Sequence, residues 1–141
     1  MATSHARAAL AGGEAMMAVG IGAKSTVTPE DVVSAVRECC ARYGIDAQEL
    51  GGLASLDRAA TRGAIQAAAN ELGVRVMFYD KSDLQAQASR CATHSERSFI
   101  ATGVPSVAEA AALAAVGHNG ALIIRRIAFA TVTASLALGA A

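Results

Sequence analysis

The stretch GIGAKSTVTPEDVV, residues 20–33, sets Gly20 and Gly22 ahead of Lys24 and Ser25 and then opens a helix. Glycines let backbone approach a ligand closely, free N–H groups and partial positive charge gather ahead of a helix, and Lys24 adds a point charge. Together these suit an anion, carboxylate as well as phosphate. Two phosphate fingerprints are absent. Ala23 stands directly before Lys24, where GxxxxGK[ST] requires glycine, and Ser25 stands where a dinucleotide turn needs its third glycine. The competing reading is a plain strand-to-helix turn with a solvated lysine.

Other reactive residue types form no recognisable constellation. Cys39, Cys40 and Cys91 have neither CxxC nor zinc spacing. They read as reduced thiols used for packing, in keeping with a cytoplasmic location. His94 lies in a polar segment without a partner at metal-ligand spacing, and His118 follows Gly117 in a helix-terminating turn, so both read as structural or solvated. No nucleophile, base and orienting group recur at a usable spacing. No metal set and no cofactor fingerprint is present in the sequence.

The elements that must position the opening loop follow from length, composition and periodicity. With 141 residues, 53% of them hydrophobic, one buried core and one domain are expected. Lys plus Arg and Asp plus Glu both number 12, so no long-range charge draws the chain toward nucleic acid. Trp is absent and aromatics make up 4%, which removes the stacking platforms of a single-strand binder. Residues 1–13 read as a flexible leader without a secretory apolar run, and 14–141 as the domain. The apolar run 127–141 is shorter than the ~20 residues a bilayer span needs and reads as a buried strand, so no membrane association is expected.

Residues 14–22 read as a buried strand entering the glycine loop. Thr28 then caps a helix with Pro29 in its first turn, Val32, Val36, Cys40 and Tyr43 at helical spacing, and Gly44 as stop. A strand over 50–57, a helix over 59–72 closed by Gly73, and a strand over 74–80 follow. Ser82 is expected to cap a short helix over 83–88, and the polar, aperiodic segment 89–98 reads as a mobile loop. Ser106 and Glu109 form a capping box for a helix within 103–117 that stops at Gly117. Residues 121–126 and 127–138 read as two closing strands, turning near Arg125 and Arg126. In the second, Phe129, Thr131, Thr133 and Ser135 alternate with Ala130, Val132, Ala134 and Leu136. The alternation of strand and helix predicts an α/β fold with a mixed sheet and a C-terminal β-hairpin.

Four segments in order, VGIGAKSTVTPEDV, LASLDRAATRGAIQAAANELGV, TGVPSVAEAAALAA and LIIRRIAFATVTASLALG, resemble the CobE family. That family is equivalent to the C-terminal domain of CbiG and belongs to cobalamin (corrin-ring) biosynthesis. The resemblance runs over residues 15–139 and implies a compact three-layer α/β/α domain. It also implies a ligand, a late precorrin or hydrogenobyrinic-acid-type intermediate whose acetate and propionate groups need separated cationic or N–H donors around an apolar cleft.

Carried over by motif, the implied ligand-binding residues begin with Gly20, Gly22, Lys24 and Ser25, although Thr26 stands where the family often has a smaller residue. The second motif falls on Ser55, Asp57 and Arg58 at a strand end; Asp57 is either a helix cap or a site carboxylate. The third gives Gly103, Val104 and Ser106, the closing one Arg126 and Thr131; Arg126 is either a bidentate carboxylate clamp or a solvated turn residue. The resemblance leaves three roles open. One is a carrier or chaperone in the oxygen-dependent pathway. A second is a hydrolase, or a subunit of one, opening a precorrin lactone as in two-domain relatives, with Asp57 as general base. The third is a scaffold for other cobalamin-pathway enzymes. Neither cofactor nor metal is implied, and the sequence carries no signal for oligomeric state.

Overall fold

The computed structural model describes residues 16–139, so the expected leader lies outside the described residues. Strand β1, Met17–Ala23, leads through the Lys24 loop into helix α1, Pro29–Tyr43. The Thr28 hydroxyl accepts from the Asp31 N–H at 3.1 Å, and the Asp31 carboxylate accepts from the Thr28 N–H at 3.1 Å. Gly44 ends α1 at φ 76°, a left-handed conformation that favours glycine. Strand β2, Gly52–Leu56, is buried along its whole length, and helix α2, Ala59–Leu72, returns the chain to strand β3, Val76–Tyr79.

The next stretch departs from the sequence reading. Helix α3 covers Lys81–Gln85 and is capped by Asp80, not Ser82: Asp80 accepts from the Asp83 N–H at 2.9 Å. The expected loop 89–98 contains a 3-10 turn at Ala88–Arg90 and the start of helix α4, Glu96–Thr102, capped by Ser95. No residue of α4 is buried, so it carries no apolar period that a sequence pattern would register.

Helix α5, Val107–Val116, begins at Ser106, whose hydroxyl accepts from the Glu109 N–H at 3.3 Å. The second half of the expected capping box is not formed; the Glu109 carboxylate turns to other elements. Strand β4, Ala121–Ala128, and strand β5, Val132–Leu138, form the closing hairpin. Its turn is at residues 129–131, and Arg125 and Arg126 lie within β4. Two register irregularities, between Leu122 and Ile124 and between Ile124 and Ile127, break the period-two pattern of β4 and disguise it as a turn.

The sheet order is β3-β2-β1-β5-β4. β1, β2 and β3 run parallel, while β5 is antiparallel to both β1 and β4, making the mixed sheet. On one face α1 and α2 bury Val32, Val36 and Ile65 against Val19, Ile21, Leu53 and Leu136. Cys39 and Cys40 belong to that core, and burial pushes their thiols up to about 11 and about 12. On the other face α5 lies directly on β1. A Cβ at Gly20 would run into the Ala108 carbonyl oxygen and lie 2.6 Å from the Ala112 nitrogen. The run Ala110, Ala111 and Ala112 and the bare backbone of Gly20 together permit this close contact. The fold is an α/β/α sandwich around a five-stranded sheet.

Candidate functional site

β1 lies between parallel β2 and antiparallel β5, so the chain leaves its carboxyl end at a point where the winding of the sheet changes direction. Open α/β sheets form ligand crevices at such points. A cleft of about 550 Å³ opens there, between the β1–α1 loop, the start of α2, helix α4, the start of α5 and the β4–β5 turn. Leu56, Ala101, Val107, Phe129 and Val132 supply apolar wall. Lys24, Arg58, Lys81, Arg97 and Arg126 line it as cations, and among the described residues no Asp or Glu does. In a chain of formal net charge zero, this gathers one sign of charge at a low-dielectric concavity, which focuses the field on an incoming anion.

Each inherited position has a local cause. Lys24 is tied by its backbone, its N–H donating to the Thr131 carbonyl at 2.9 Å, while its side chain is exposed at the cleft. Arg58 donates through Nη1 to the Ala23 carbonyl at 2.9 Å, bridging the ends of β2 and β1. Ser55, 2% exposed, donates to the Ile21 carbonyl at 2.7 Å and so spends its proton on the sheet. The Thr131 hydroxyl donates to the Asp31 carboxylate at 2.7 Å. This bond, with the Thr28 N–H, holds the Asp31 carboxyl below its ordinary value.

Arg126 is placed by Glu109. The fully buried Glu109 carboxylate accepts from the Arg126 N–H at 2.9 Å and from the Thr93 N–H and hydroxyl, each at 2.8 Å. Three donors compensate the removal of the carboxylate from water, and the bond pins β4 to α5 beside the cleft.

Seven of the sequence-derived positions therefore meet at the cleft: Gly22, Lys24, Ser55, Arg58, Ser106, Arg126 and Thr131. Five do not line it. Gly20 faces α5, Ser25 is exposed in the loop, and Val104 is fully buried in the core beneath α5. Gly103 caps α4 at φ 74°. Asp57 pairs with Arg62 at 2.6 Å, neither capping α2 nor entering the cleft, and Arg62 in turn lies 4.2 Å from the Phe78 ring centroid.

Sequence reasoning missed Lys81, Arg97, Thr61 and Phe129, all of which line the cleft, as does Thr133 on the same strand face as Thr131. For Lys81 a signal existed, its place just beyond the end of β3 on the same sheet edge as Lys24 and Arg58. Arg97 had none, because α4 itself was not legible. Among the described residues no three His, Cys, Asp or Glu side chains are grouped to hold a metal ion. His94 pairs with Glu96 at 3.1 Å outside the cleft. No single described helix is long and apolar enough to cross a membrane.

An open mixed sheet with a cation-lined cleft at its switch point defines an α/β domain with a candidate anion site. Residues 17–137 match the family described as Cobalamin synthesis G C-terminus, and the chain belongs to that family. Protein CobE of Sinorhizobium sp. is 39% identical over 121 residues, 86% of this chain and 79% of that protein. The crystal structure of CobE, a protein from the cobalamin (vitamin B12) biosynthetic pathway, superposes with a TM-score of 0.83 at 26% identity, covering 88% of this chain and 93% of that one. A putative cobalamin biosynthesis protein G homolog from Sulfolobus solfataricus gives a TM-score of 0.68 at 27% identity; 87% of this chain matches but only 36% of that chain. This is a cobalamin biosynthesis protein of the CobE and CbiG C-terminal type.

Proposed function

We propose that the protein binds a late precorrin or hydrogenobyrinic-acid-type intermediate and acts as its carrier or chaperone in the oxygen-dependent pathway, in the cytoplasm. The observation that carries this reading is the cleft lining, in which the described residues place five cations and no carboxylate beside an apolar wall. A corrin-type macrocycle presents the complementary surface, an apolar ring edged by carboxylates. Lys24, Lys81, Arg97 and Arg126 have no side-chain ion pair among the described residues, so a ligand carboxylate displaces only water from them. Among the described residues neither Asp, Glu, His nor Cys lines the cleft, a composition suited to holding the ligand rather than to carboxylate- or imidazole-driven proton transfer.

A visible-absorption titration with hydrogenobyrinic acid, followed by mass analysis of the recovered ligand, tests the reading. Saturable binding with unchanged mass, weakened about tenfold or more by Arg126→Ala and left alone by Arg37→Ala outside the cleft, is the expected result. A changed mass that depends on Asp57 would make the protein a hydrolase instead. One observation favours an additional contact with pathway enzymes: Phe99 and Ile100 on α4 are 47% and 78% exposed beside the cleft. Phe99→Ser/Ile100→Ser is then expected to bind ligand normally and to slow its transfer to the next enzyme.

A further inference from the structure

The helix starts are not finished alike. Thr28, Asp80, Ser95 and Ser106 each accept a first-turn N–H of α1, α3, α4 and α5, whereas no side chain accepts from the first turn of α2. The N–H groups of Arg58, Ala59 and Ala60 have no acceptor among the described residues. The Thr61 N–H is already used, bonding the Arg58 carbonyl at 3.2 Å.

A second, independent feature lies at the same place. Thr61 is 2% exposed and lines the cleft, yet its hydroxyl has no hydrogen-bond partner among the described residues and is not sealed from the cleft space. The residue is thus almost wholly buried while its hydroxyl stays open to the cleft, a fixed donor that no protein group engages. Beside it, Arg58 keeps one guanidinium N–H on the Ala23 carbonyl, which fixes the group while leaving its other donors available.

We infer that the start of α2 is a carboxylate seat within the cleft. The Thr61 hydroxyl donates to one carboxylate, the Arg58 guanidinium balances its charge, and the open N–H groups at the start of the helix add their partial positive charge. The other cations of the cleft are spread around it, so the seat fixes one side-chain carboxylate and thereby the rotation of the ring. That last assignment rests on the macrocycle reading above; the seat itself does not.

Amide NMR of the full chain, titrated with sodium acetate at constant ionic strength, tests the seat without any macrocycle. Saturable shifts concentrated at Arg58, Ala59, Ala60 and Thr61 are expected. Thr61→Val is expected to weaken acetate about tenfold, the size of one hydrogen bond to a charged acceptor, and Thr61→Ser to restore it. Acetate shifts that bypass residues 58–61, or that Thr61→Val leaves unchanged, overturn the inference. Hydrogenobyrinic acid titrated into the same proteins separates the two readings. Seat shifts with no macrocycle binding would keep the seat and remove the carrier reading; macrocycle binding indifferent to Thr61→Val would keep the carrier and remove the seat's part in fixing the ring.

Discussion

Glu109 on α5 accepts the backbone N–H of Arg126 on β4 at 2.9 Å, with the carboxylate fully buried. One cation of the cleft is thus positioned by a carboxylate that never lines it. Glu109 does for β4 what the Ala23 carbonyl does for Arg58: each anchors the element or side chain carrying a charge while leaving that charge to the cleft.

Replacing Glu109 should therefore damage both stability and binding. Glu109→Ala leaves the Thr93 N–H and hydroxyl and the Arg126 N–H without their acceptor, an expected loss of about 3 kcal/mol. Glu109→Gln keeps the shape but brings an amide NH₂ against one of those donors, with an expected loss of about 1–2 kcal/mol. Urea denaturation measures both; a Gln variant as stable as the parent would show that the carboxylate is not the tie.

The two opening glycines should respond oppositely to alanine. At Gly20 the added methyl meets backbone of α5, which cannot move without lifting the helix off β1. Gly20→Ala is expected to cost about 3 kcal/mol or more. At Gly22 the nearest atom is the Thr133 Oγ1 at 2.6 Å, on a side chain that can rotate. Gly22→Ala should keep most of its melting temperature while narrowing the cleft floor and weakening polyanion binding. Equal thermal losses in the two variants would contradict the assignment.

The Asp31 carboxyl is held low by the Thr131 hydroxyl first and the Thr28 N–H second. A depressed folded-state value means the ionised form is favoured by folding. Its stabilisation is complete above the unfolded value of 3.8 and is lost as pH falls through the lower folded value. Thr131→Val should lower the urea midpoint at pH 7 and leave it closer to the parent's at pH 3. A constant difference between the two proteins across that window would exclude the linkage.

Burial also raises the thiols of Cys39, Cys40 and Cys91 to about 11, 12 and 11. All three should react slowly with iodoacetamide at pH 8 in the folded protein and fast once it is unfolded in urea. Intact-mass measurement over time checks this. Rapid single labelling of the folded chain would identify a thiol outside the packing role.

What was legible in the sequence was local. Thr28, Pro29 and Gly44 bound α1, Gly73 ends α2, and Ser106 starts α5 because caps and left-handed stops act within a turn of their own position. The alternation from Val132 to Leu136 marked β5 because one face packs on the core. The loop carrying Lys24 and the strand end carrying Arg58 follow from the same local order of strand, turn and helix, and the quoted motifs pointed to the family.

Tertiary structure decided the rest. The position of β5 beside β1, the hairpin turn at residues 129–131 and the insertion of Arg97 into the cleft depend on contacts between residues far apart in the chain. Glu109 has the spacing of a capping box, and only the approach of Thr93 and Arg126 draws its carboxylate elsewhere. Gly20 and Gly22, two residues apart, look alike in the sequence. One became packing and the other cleft because the backbone of the helix that lies on β1 presses on the first, while only the start of that helix borders the second, where an added Cβ would lie 3.5 Å from the Val107 Cβ. Motif spacing identifies which residues are able to bind an anion; the packing of one helix on one strand determines which of them are left open to do so.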